Sequence, residues 1–368
     1  MGSMSHSLAF FFLLSLPLGV SADAQPWITG YYIDGSMSLS DVPWTKDTHV
    51  IHFAIDPADA NGTLEGISPA NADAFTTAAH NAGVQALFCL RDNNSNLGLF
   101  STVVSNNLSG FVSNVVNFVN AHNYDGVDLN WEAADFGSII NQNNYVNLIM
   151  GLRNALGPGK TITIAVYWMG GLASVVQRTS DNLDQVNVMC YDMDQWNSDL
   201  YFNSATYGAF LDLFHNNCAT QTSNFAGYIA PAKIGVGIPF YGRVWSGCAD
   251  LFCGDGLHDL LQTWFGKPTQ NSIRYNALVA SPYWSNPHSW DPIRQASYIS
   301  INQGGPGNER FISYTDGQQI NSMVQLMKNR GYGGMMEYEL SYDFMSWQTG
   351  DARHPLAAAV YNAVFGSQ

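Results

Sequence analysis

The sequence predicts an α/β fold, a (β/α)8 or TIM barrel of eight parallel strands, with a small α+β insertion between strands seven and eight. Three observations lead to this prediction. Short β-branched and aromatic runs alternate with helical patterns along most of the chain, which is typical of a parallel sheet covered by helices. Polar side chains gather at the end of one run, as they do at a barrel mouth. About ninety residues separate the last two runs, far more than one connecting helix needs.

The first residues of the chain have the features of a targeting segment. With 368 residues, the chain is long enough for one large barrel or for two smaller domains. Residues 8–20 form an apolar run too short to span a bilayer, followed by Ala22-Asp23-Ala24. We interpret residues 1–24 as a secretory signal peptide, rather than a core strand or a membrane anchor, although no Lys or Arg precedes the apolar run. The barrel is then predicted over residues 25–368 of a secreted, extracellular protein.

The charge balance limits the classes of partner. The formal net charge is −15, and removal of residues 1–24 takes away only Asp23, which leaves −14. Such an acidic chain repels phosphate backbones and anionic lipids, so we expect no nucleic acid and no membrane partner. A neutral or cationic substrate meets no such barrier. We also expect the protein to be a monomer.

Cysteine and histidine spacing indicates disulfide chemistry rather than metal binding. Of the five cysteines, Cys248 and Cys253 are close enough to form a local disulfide in an oxidising compartment. Cys89, Cys190 and Cys218 lie in apolar or helical patterns, where we expect small buried thiols. The histidines show no metal-ligand spacing, so we expect neither a metal nor a cofactor.

The elements follow one another in a regular order. Strands are predicted at 27–32, 49–55, 84–90, 124–132, 161–166, 186–192, 233–242 and 333–338. Helices are predicted at 71–83, 108–120, 145–156, around 207–215, at 318–330 and at 355–364. The insertion, residues 245–317, is rich in Trp and Tyr, and we expect it to form one wall of a cleft at the barrel mouth.

The fourth strand carries the predicted chemistry. Side chains two apart on a strand share a face, so Asp128, Asn130 and Glu132 should point together into the barrel. An aromatic content of 13% is compatible with a sugar-binding cleft, because sugars stack their C–H faces on aromatic rings. Glycosidic cleavage needs an acid to protonate the leaving oxygen, and Glu132 is the best-placed candidate. Position 130 is an amide, so a second carboxylate that could act as nucleophile is not evident.

Five motifs, in this order, resemble those of glycoside hydrolase family 18, the chitinase and chitinase-like family, along nearly all of the mature chain. They are Gly30-Tyr31-Tyr32 on strand one, Asp125-Gly126-Val127-Asp128-Leu129-Asn130-Trp131-Glu132 on strand four (D-G-x-D-x-D-W-E in the family), Met189-Cys190-Tyr191-Asp192 on strand six (M-x-Y-D), Gly237-Ile238-Pro239-Phe240-Tyr241-Gly242-Arg243 on strand seven, and Gly333-Gly334-Met335-Met336 on strand eight. The resemblance also implies a small α+β domain at the position of the insertion.

The resemblance implies a reaction and a role for each motif residue. It implies retaining hydrolysis of β-1,4-linked N-acetylglucosamine, in which the acetamido oxygen of the substrate attacks the anomeric carbon and no enzyme nucleophile is needed. Glu132 would act as acid and then as base, and Tyr191 would hydrogen-bond the acetamido group. Asp192 would contact the sugar beside it, Asp128 would tune position 130, and Asp125, of opposite strand parity, would be structural.

Further substrate contacts follow from the same resemblance. The expected ligand is chitin or an N-acetylglucosamine oligosaccharide. The remaining candidate substrate-binding residues are Met189, Tyr338, Tyr31, Trp245 and Arg243. Tyr338 stands where the family has a Trp beneath the sugar at the cleavage site, and Trp245 is expected to face the substrate.

Three departures from the family pattern modify the functional prediction. Asn130 replaces an Asp that orients the acetamido group and stabilises developing positive charge, a loss of about 10²–10³ in rate. Cys89-Leu90-Arg91-Asp92 replaces S-x-G-G, and Tyr338 replaces Trp. The sequence therefore predicts a secreted chitinase-like glycosidase that Asn130 impairs or modifies. The alternatives are a catalytically weak chitin-binding, lectin-like protein, or an endo-β-N-acetylglucosaminidase that acts on N-glycans and uses Asn two residues before the Glu.

Overall fold

The computed structural model describes residues 25–92, 98–132, 134–167, 169–194, 199–210, 212 and 215–366. The predicted signal peptide, residues 1–24, lies outside the described residues. The strands are β1 (Trp27–Ile33), β2 (His49–Pro57), β3 (Leu64–Gly66), β4 (Gln85–Arg91), β5 (Gly126–Asn130), β6 (Thr161–Val166), β7 (Gln185–Val188), β8 (Ile234–Pro239), β9 (Tyr241–Cys248), β10 (Phe265–Arg274), β11 (His288–Asp291), β12 (Ala296–Ile301), β13 (Arg310–Tyr314) and β14 (Gly334–Tyr338).

Eight of these strands form a closed parallel barrel, which confirms the predicted (β/α)8 fold. Their order around the barrel is β1, β2, β4, β5, β6, β7, β8 and β14, and β14 pairs with β1 to close the ring. The seam is tight, because a Cβ added to Gly334 would lie 2.4 Å from the carbonyl oxygen of Trp27. A glycine at this position therefore lets the last strand reach the first.

Strand β5 shows the alternation that the sequence predicts. Val127, Leu129 and Trp131 lie in the apolar core between the barrel and its helices, whereas Asp128 and Asn130 are buried on the opposite face. The strand ends at Asn130, two residues before the predicted end. Close approach to β6 also constrains its start, because a Cβ on Gly126 would lie 1.9 Å from the oxygen of Thr161.

Helices cover the outside of the barrel. They are α1 (Pro69–Asn81), α2 (Leu99–Ala121), α3 (Ile139–Leu156), α4 (Gly170–Thr179), α5 (Cys218–Phe225), α6 (Tyr275–Val279), α7 (Gly317–Arg330), α8 (Leu340–Asp343) and α9 (Pro355–Phe365). Helix α2 starts before the predicted 108–120 and has a break in its backbone at Asn107. Helix α4 was not predicted, because the two glycines at its start resemble a turn. Among the described residues, no helix combines the length and the apolar character needed to cross a membrane.

The helix predicted around 207–215 is wrong, since none of the described residues in that range is helical. The carboxylate of Asp212 instead accepts a hydrogen bond from the backbone N–H of Ala209 at 2.8 Å. It also forms a bidentate pair with Arg294, at 2.6 and 2.8 Å. These contacts oppose a helix at the described residues of this range, because side chain to backbone bonds of this kind compete with helical ones. The next helix begins at Cys218, after the N-cap Asn217.

Between β8 and β14 the chain forms a second sheet. Its strands are antiparallel and lie in the order β10, β9, β13, β12, β11. Its first strand begins at Tyr241, two residues after β8 ends, so the sheet extends directly from the mouth of the barrel. Residues 245–317, the predicted insertion, include most of this sheet and helix α6.

Two carboxyl groups are buried between the barrel and its outer layer without hydrogen-bond partners. Glu337, on β14, is fully buried, and Asp47, just before β2, is 7% exposed. Neither side chain has a hydrogen-bond partner for either oxygen. Burial raises the pKa of both groups well above the usual range, and the charge of Asp47 raises that of Glu337 further. Burial therefore favours the protonated, neutral form of each carboxyl group.

This burial predicts that the protein loses stability as the pH rises. An acid whose pKa is raised by folding contributes its full stabilisation below the pKa of the unfolded chain, about 4. That stabilisation is lost as the pH rises towards the folded pKa. The isosteric change Glu337→Gln should therefore make unfolding midpoints less dependent on pH above about 4. Thermal unfolding across this range checks the prediction, with the exposed Glu65→Gln as control. Identical pH dependence in the wild type and Glu337→Gln would contradict it.

Candidate active site

A cavity of about 270 Å³ opens at the C-terminal ends of the barrel strands. Its lining consists of Tyr31, Phe53, Arg91, Asp92, Asn130, Glu132, Ala165, Met189, Tyr191, Asp192, Tyr241 and Tyr338. Because parallel strands all end at one rim, residues far apart in sequence meet here. The cavity brings together the predicted residues of strands one, four, six and eight.

Asp128 lies beneath the cavity and is fully buried. Its carboxylate accepts hydrogen bonds from the Tyr31 hydroxyl at 2.7 Å and from the Thr163 hydroxyl at 2.6 Å. The Cys89 thiol also hydrogen-bonds this group. Burial raises the pKa of Asp128 to about 6, and these hydrogen bonds act in the opposite direction, since they stabilise the ionised form. Near neutral pH, Asp128 is thus a buried negative charge below position 130.

Asn130 and Glu132 follow on the same side of the chain. Asn130 is 7% exposed, whereas Glu132 remains accessible to solvent in the cavity. The Asn130 amide hydrogen-bonds the Glu132 carboxylate and lowers its pKa, but the exclusion of water by surrounding protein is larger and raises the pKa. The negative charge of Asp192 raises it further. The net shift is upward, which suits a general acid that must hold a proton near neutral pH.

Aromatic rings form the floor and one side of the cavity. Tyr191 and Tyr338 are stacked, with ring centroids 6.0 Å apart and an interplanar angle of 24°. Tyr31 contacts Tyr338 edge to face at 5.6 Å. Burial is the main cause that raises the pKa of Tyr191, and the charge of Glu132 adds to it, so its hydroxyl stays protonated and can donate a hydrogen bond. Met189 lies beside these rings.

The wall beside Tyr191 contains Asp192, which two residues of the second sheet hold in place. Asp192 accepts a hydrogen bond from the Tyr241 hydroxyl at 2.7 Å and another from the guanidinium of Arg243. Arg243 also lies 3.7 Å from Asp194, which is fully buried. Arg243 itself is not part of the lining, so it holds Asp192 in place from behind. The second sheet therefore positions a predicted substrate contact.

Two predicted residues lie elsewhere. The prediction that Trp245 faces the substrate is wrong: it is 3% exposed and stacks on Trp264 within the second sheet, with ring centroids 5.4 Å apart. Its side chain packs in the apolar core and is not part of the cavity lining. Asp125 lies at the opposite end of β5, where it accepts hydrogen bonds from His80 and from the backbone N–H of Ala86, each at 2.8 Å.

The lining also includes residues that were not predicted as site residues. Ala165 lies next to the last residue of β6 and Tyr241 begins β9, whereas Phe53 lies in the middle of β2. For Ala165 and Tyr241, which lie near the ends of β6 and β8, this position was the available signal, since parallel strand ends meet at the mouth. Arg91 and Asp92, two residues of the segment that departs from the family pattern, also line the cavity. Burial raises the pKa of Asp92 to about 6, and the charge of Asp56 raises it further.

One group of potential metal ligands lies outside the cavity. Ligand atoms of Asp255, His258 and Glu309 lie within 4.8 Å of one another. However, both ring nitrogens of His258 already have partners, the Gly256 carbonyl oxygen at 2.9 Å and the Asn302 side chain at 3.0 Å. Hydrogen bonds within the chain therefore account for this cluster.

Cysteine pairing next to the site differs from the expectation. Cys248 and Cys253 form the predicted disulfide. Cys190 and Cys218, expected as free thiols, form a second one, so that expectation is wrong, whereas Cys89 is a free and buried cysteine. Cys190 lies between Met189 and Tyr191 at the end of β7, and Cys218 begins α5. The bond spans 28 positions and ties the chain carrying Tyr191 to the outer helix layer.

We predict that this second disulfide contributes strongly to stability. Replacement of Cys190 and Cys218 by Ser should lower the free energy of unfolding by about 2–4 kcal/mol, because the bond restrains a long loop of the unfolded chain. Urea unfolding measures the loss. The pair Cys248→Ser and Cys253→Ser is the matched control, with a smaller loss since it closes a loop of only 5 positions. An equal or larger loss in the control would contradict the prediction.

Comparisons with known proteins agree with the motifs. The family described as Glycosyl hydrolases family 18 matches residues 28–343. Chitinase A1 of Niallia circulans is 27% identical over 263 residues, which cover 63% of this chain and 37% of that protein. The endochitinase of Manduca sexta is 24% identical over 404 residues, which cover 96% of this chain and 70% of that protein. The chain thus spans little more than a third of the first relative's length.

Solved structures share the architecture. The Group IV chitinase of Ostrinia furnacalis, solved in complex with allosamidin, superposes with a TM-score of 0.79 at 17% identity. The match covers 94% of this chain and 100% of that chain. It independently supports the barrel fold.

Proposed function

Since the chain belongs to glycoside hydrolase family 18, we propose that it hydrolyses β-1,4-linked N-acetylglucosamine in chitin or its oligosaccharides. The reaction retains the anomeric configuration, and the acetamido oxygen of the substrate acts as the nucleophile. The observation that carries this proposal is the raised pKa of Glu132, in a cavity that it shares with Tyr191 and Asn130. Asp192, another carboxylate of the lining, is held by Tyr241 and Arg243. Asp92, the third lining carboxyl group, is only 8% exposed, which leaves Glu132 as the carboxyl best able to exchange a proton with the substrate.

In the first step, Glu132 donates its proton to the glycosidic oxygen. The bond from that oxygen to the anomeric carbon breaks, and the acetamido oxygen of the same sugar forms a new bond to the anomeric carbon. The Tyr191 hydroxyl donates a hydrogen bond to the acetamido group and holds it for this attack. Tyr338 supplies the ring beneath the sugar.

In the second step, Glu132, now ionised, removes a proton from a water molecule. The water oxygen attacks the anomeric carbon, the bond to the acetamido oxygen breaks, and Glu132 is protonated again. Each step inverts the configuration at the anomeric carbon, so the product retains the configuration of the substrate. The side-chain oxygen of Asn130 accepts a hydrogen bond from the acetamido N–H. It adds no negative charge to stabilise the cationic intermediate, so we propose that turnover is reduced.

We also propose that the protein is secreted. The support is the apolar segment at 8–20 together with two disulfides, Cys190–Cys218 and Cys248–Cys253. Structural disulfides persist in oxidising compartments and are rare in a reducing cytosol. Detection of the mature chain in culture medium, beginning near residue 25, tests this proposal.

The acid role of Glu132 gives a direct prediction. Glu132→Gln should lower the release of N-acetylglucosamine oligomers by about 10²-fold or more, because the amide has no proton to transfer. Oligosaccharide binding should remain, since the amide keeps the shape of the carboxylate. Release measured by chromatography, with Asp259→Asn on the exposed surface as control, checks the prediction. Equal activity of the wild type and Glu132→Gln would rule out this role.

The Asn130→Asp variant tests the consequence of the amide. Restoring the negative charge should raise turnover by about 10²–10³. It should also move the alkaline limb of the pH–rate profile to higher pH, because the variant replaces a hydrogen-bond donor that lowers the pKa of Glu132 with a charge that raises it. No gain over an active parent would indicate a mechanism adapted to the amide. Inertness of both proteins, with oligosaccharide binding retained, would support the lectin-like alternative.

A further inference from the structure

The lining contains an arginine at a strand end where the family pattern has glycine. Arg91 ends β4, and its Nε and Nη2 atoms donate to the two oxygens of Asp56 at 3.0 and 2.7 Å. Asp56 lies on β2, and its side chain is 7% exposed. A bidentate pair anchored on a buried carboxylate fixes the guanidinium in position, because both of its bonds must break together.

The guanidinium covers part of the aromatic floor. The Arg91 guanidinium carbon lies 4.9 Å from the ring centroid of Phe53. Phe53 in turn contacts Tyr31 and Tyr338 edge to face, at 6.0 and 6.2 Å. A sugar needs an open ring face for stacking, and this face of Phe53 is occupied by a cation. The open aromatic surface on this side therefore ends near Tyr338.

The size of the cavity agrees with this arrangement. Its volume of about 270 Å³ is close to the lower limit of the range of about 300–1,000 Å³ that is usual for small-molecule sites. A glycine in place of Arg91 would remove a whole side chain from the lining and uncover Phe53. We propose that Arg91 is a specificity-determining residue that closes the Phe53 side of the cavity, so that the site accepts the end of an oligosaccharide rather than a continuous chain. This proposal rests on the proposed function, since it assumes a sugar substrate.

The test measures how affinity depends on the length of the substrate. Calorimetry is carried out with N-acetylglucosamine oligosaccharides from dimer to hexamer, in the Glu132→Gln background to prevent turnover. The parent should reach its highest affinity at a short oligomer and gain nothing from further units. Adding Arg91→Gly should restore the gain, with the hexamer bound about tenfold or more tightly than in the parent. The same length dependence in both proteins would overturn the proposal.

Two further variants separate the steric effect of the Arg91 side chain from the effects of its charge and of an unpaired Asp56. Arg91→Met keeps much of the bulk without the charge, so it should retain the short-oligomer limit, and loss of that limit would overturn the steric account. Arg91→Gly leaves the buried Asp56 without its partner, so Asp56→Asn is combined with it to remove the uncompensated charge. The length dependence of the double variant should match that of Arg91→Gly, and the parental limit in a folded double variant would count against the proposal.

Failure of this proposal is distinguishable from failure of the proposed function. Equal turnover by the wild type and Glu132→Gln contradicts the proposed reaction, but the dependence of affinity on oligosaccharide length can still be interpreted. Unchanged length dependence with normal turnover contradicts only the role of Arg91. The absence of oligosaccharide binding in every folded variant overturns both.

Discussion

Burial of one carboxyl group inside the barrel is the constraint on which the candidate site depends. Asp128 has no exposed surface, and it is tolerated there because hydroxyls of Tyr31 and Thr163 reach it from β1 and β6. The Thr163 bond depends on the register of β5 with β6, and the Tyr31 bond crosses the barrel from β1, which does not pair with β5. Once that register is set, the period of two places Asn130 above Asp128 and Glu132 at the rim. The geometry of the acid is therefore a consequence of how its strand is held below.

Local periodicity was sufficient to predict the parts of the fold that short-range rules determine. Alternation along 124–132 predicted which side chains face inward, because a strand offers only two faces. The end of a parallel strand predicted the position of Glu132, whereas the family motifs implied that Tyr191 and Tyr338 join it at the site. Contacts between distant segments were not predictable in this way. Cys190 and Cys218 belong to different elements, and neither spacing nor hydropathy identifies a pair 28 positions apart.

Long-range pairing also explains the other errors. Arg294, from the second sheet, binds Asp212, a described and non-helical residue of the range where the sequence predicts a helix. Trp245 follows a family motif, yet its environment is set by Trp264, nineteen positions later on the chain. Arg91 was recognised as a departure, but its orientation over Phe53 depends on Asp56 of the neighbouring strand. In each case a contact with a residue outside the local sequence determines the conformation or the environment of the side chain.

The second sheet starts only two residues after β8, and its first strand carries Tyr241 and Arg243, which hold Asp192 at the cavity wall. This proximity limits modular exchange. If the whole segment between β8 and β14 were transplanted from another barrel, the graft would replace one side of the pocket together with its peripheral strands. Engineers who wish to change the periphery alone should therefore place the junctions beyond Arg243. Natural variation in this segment would be expected to alter ligand preference and architecture together.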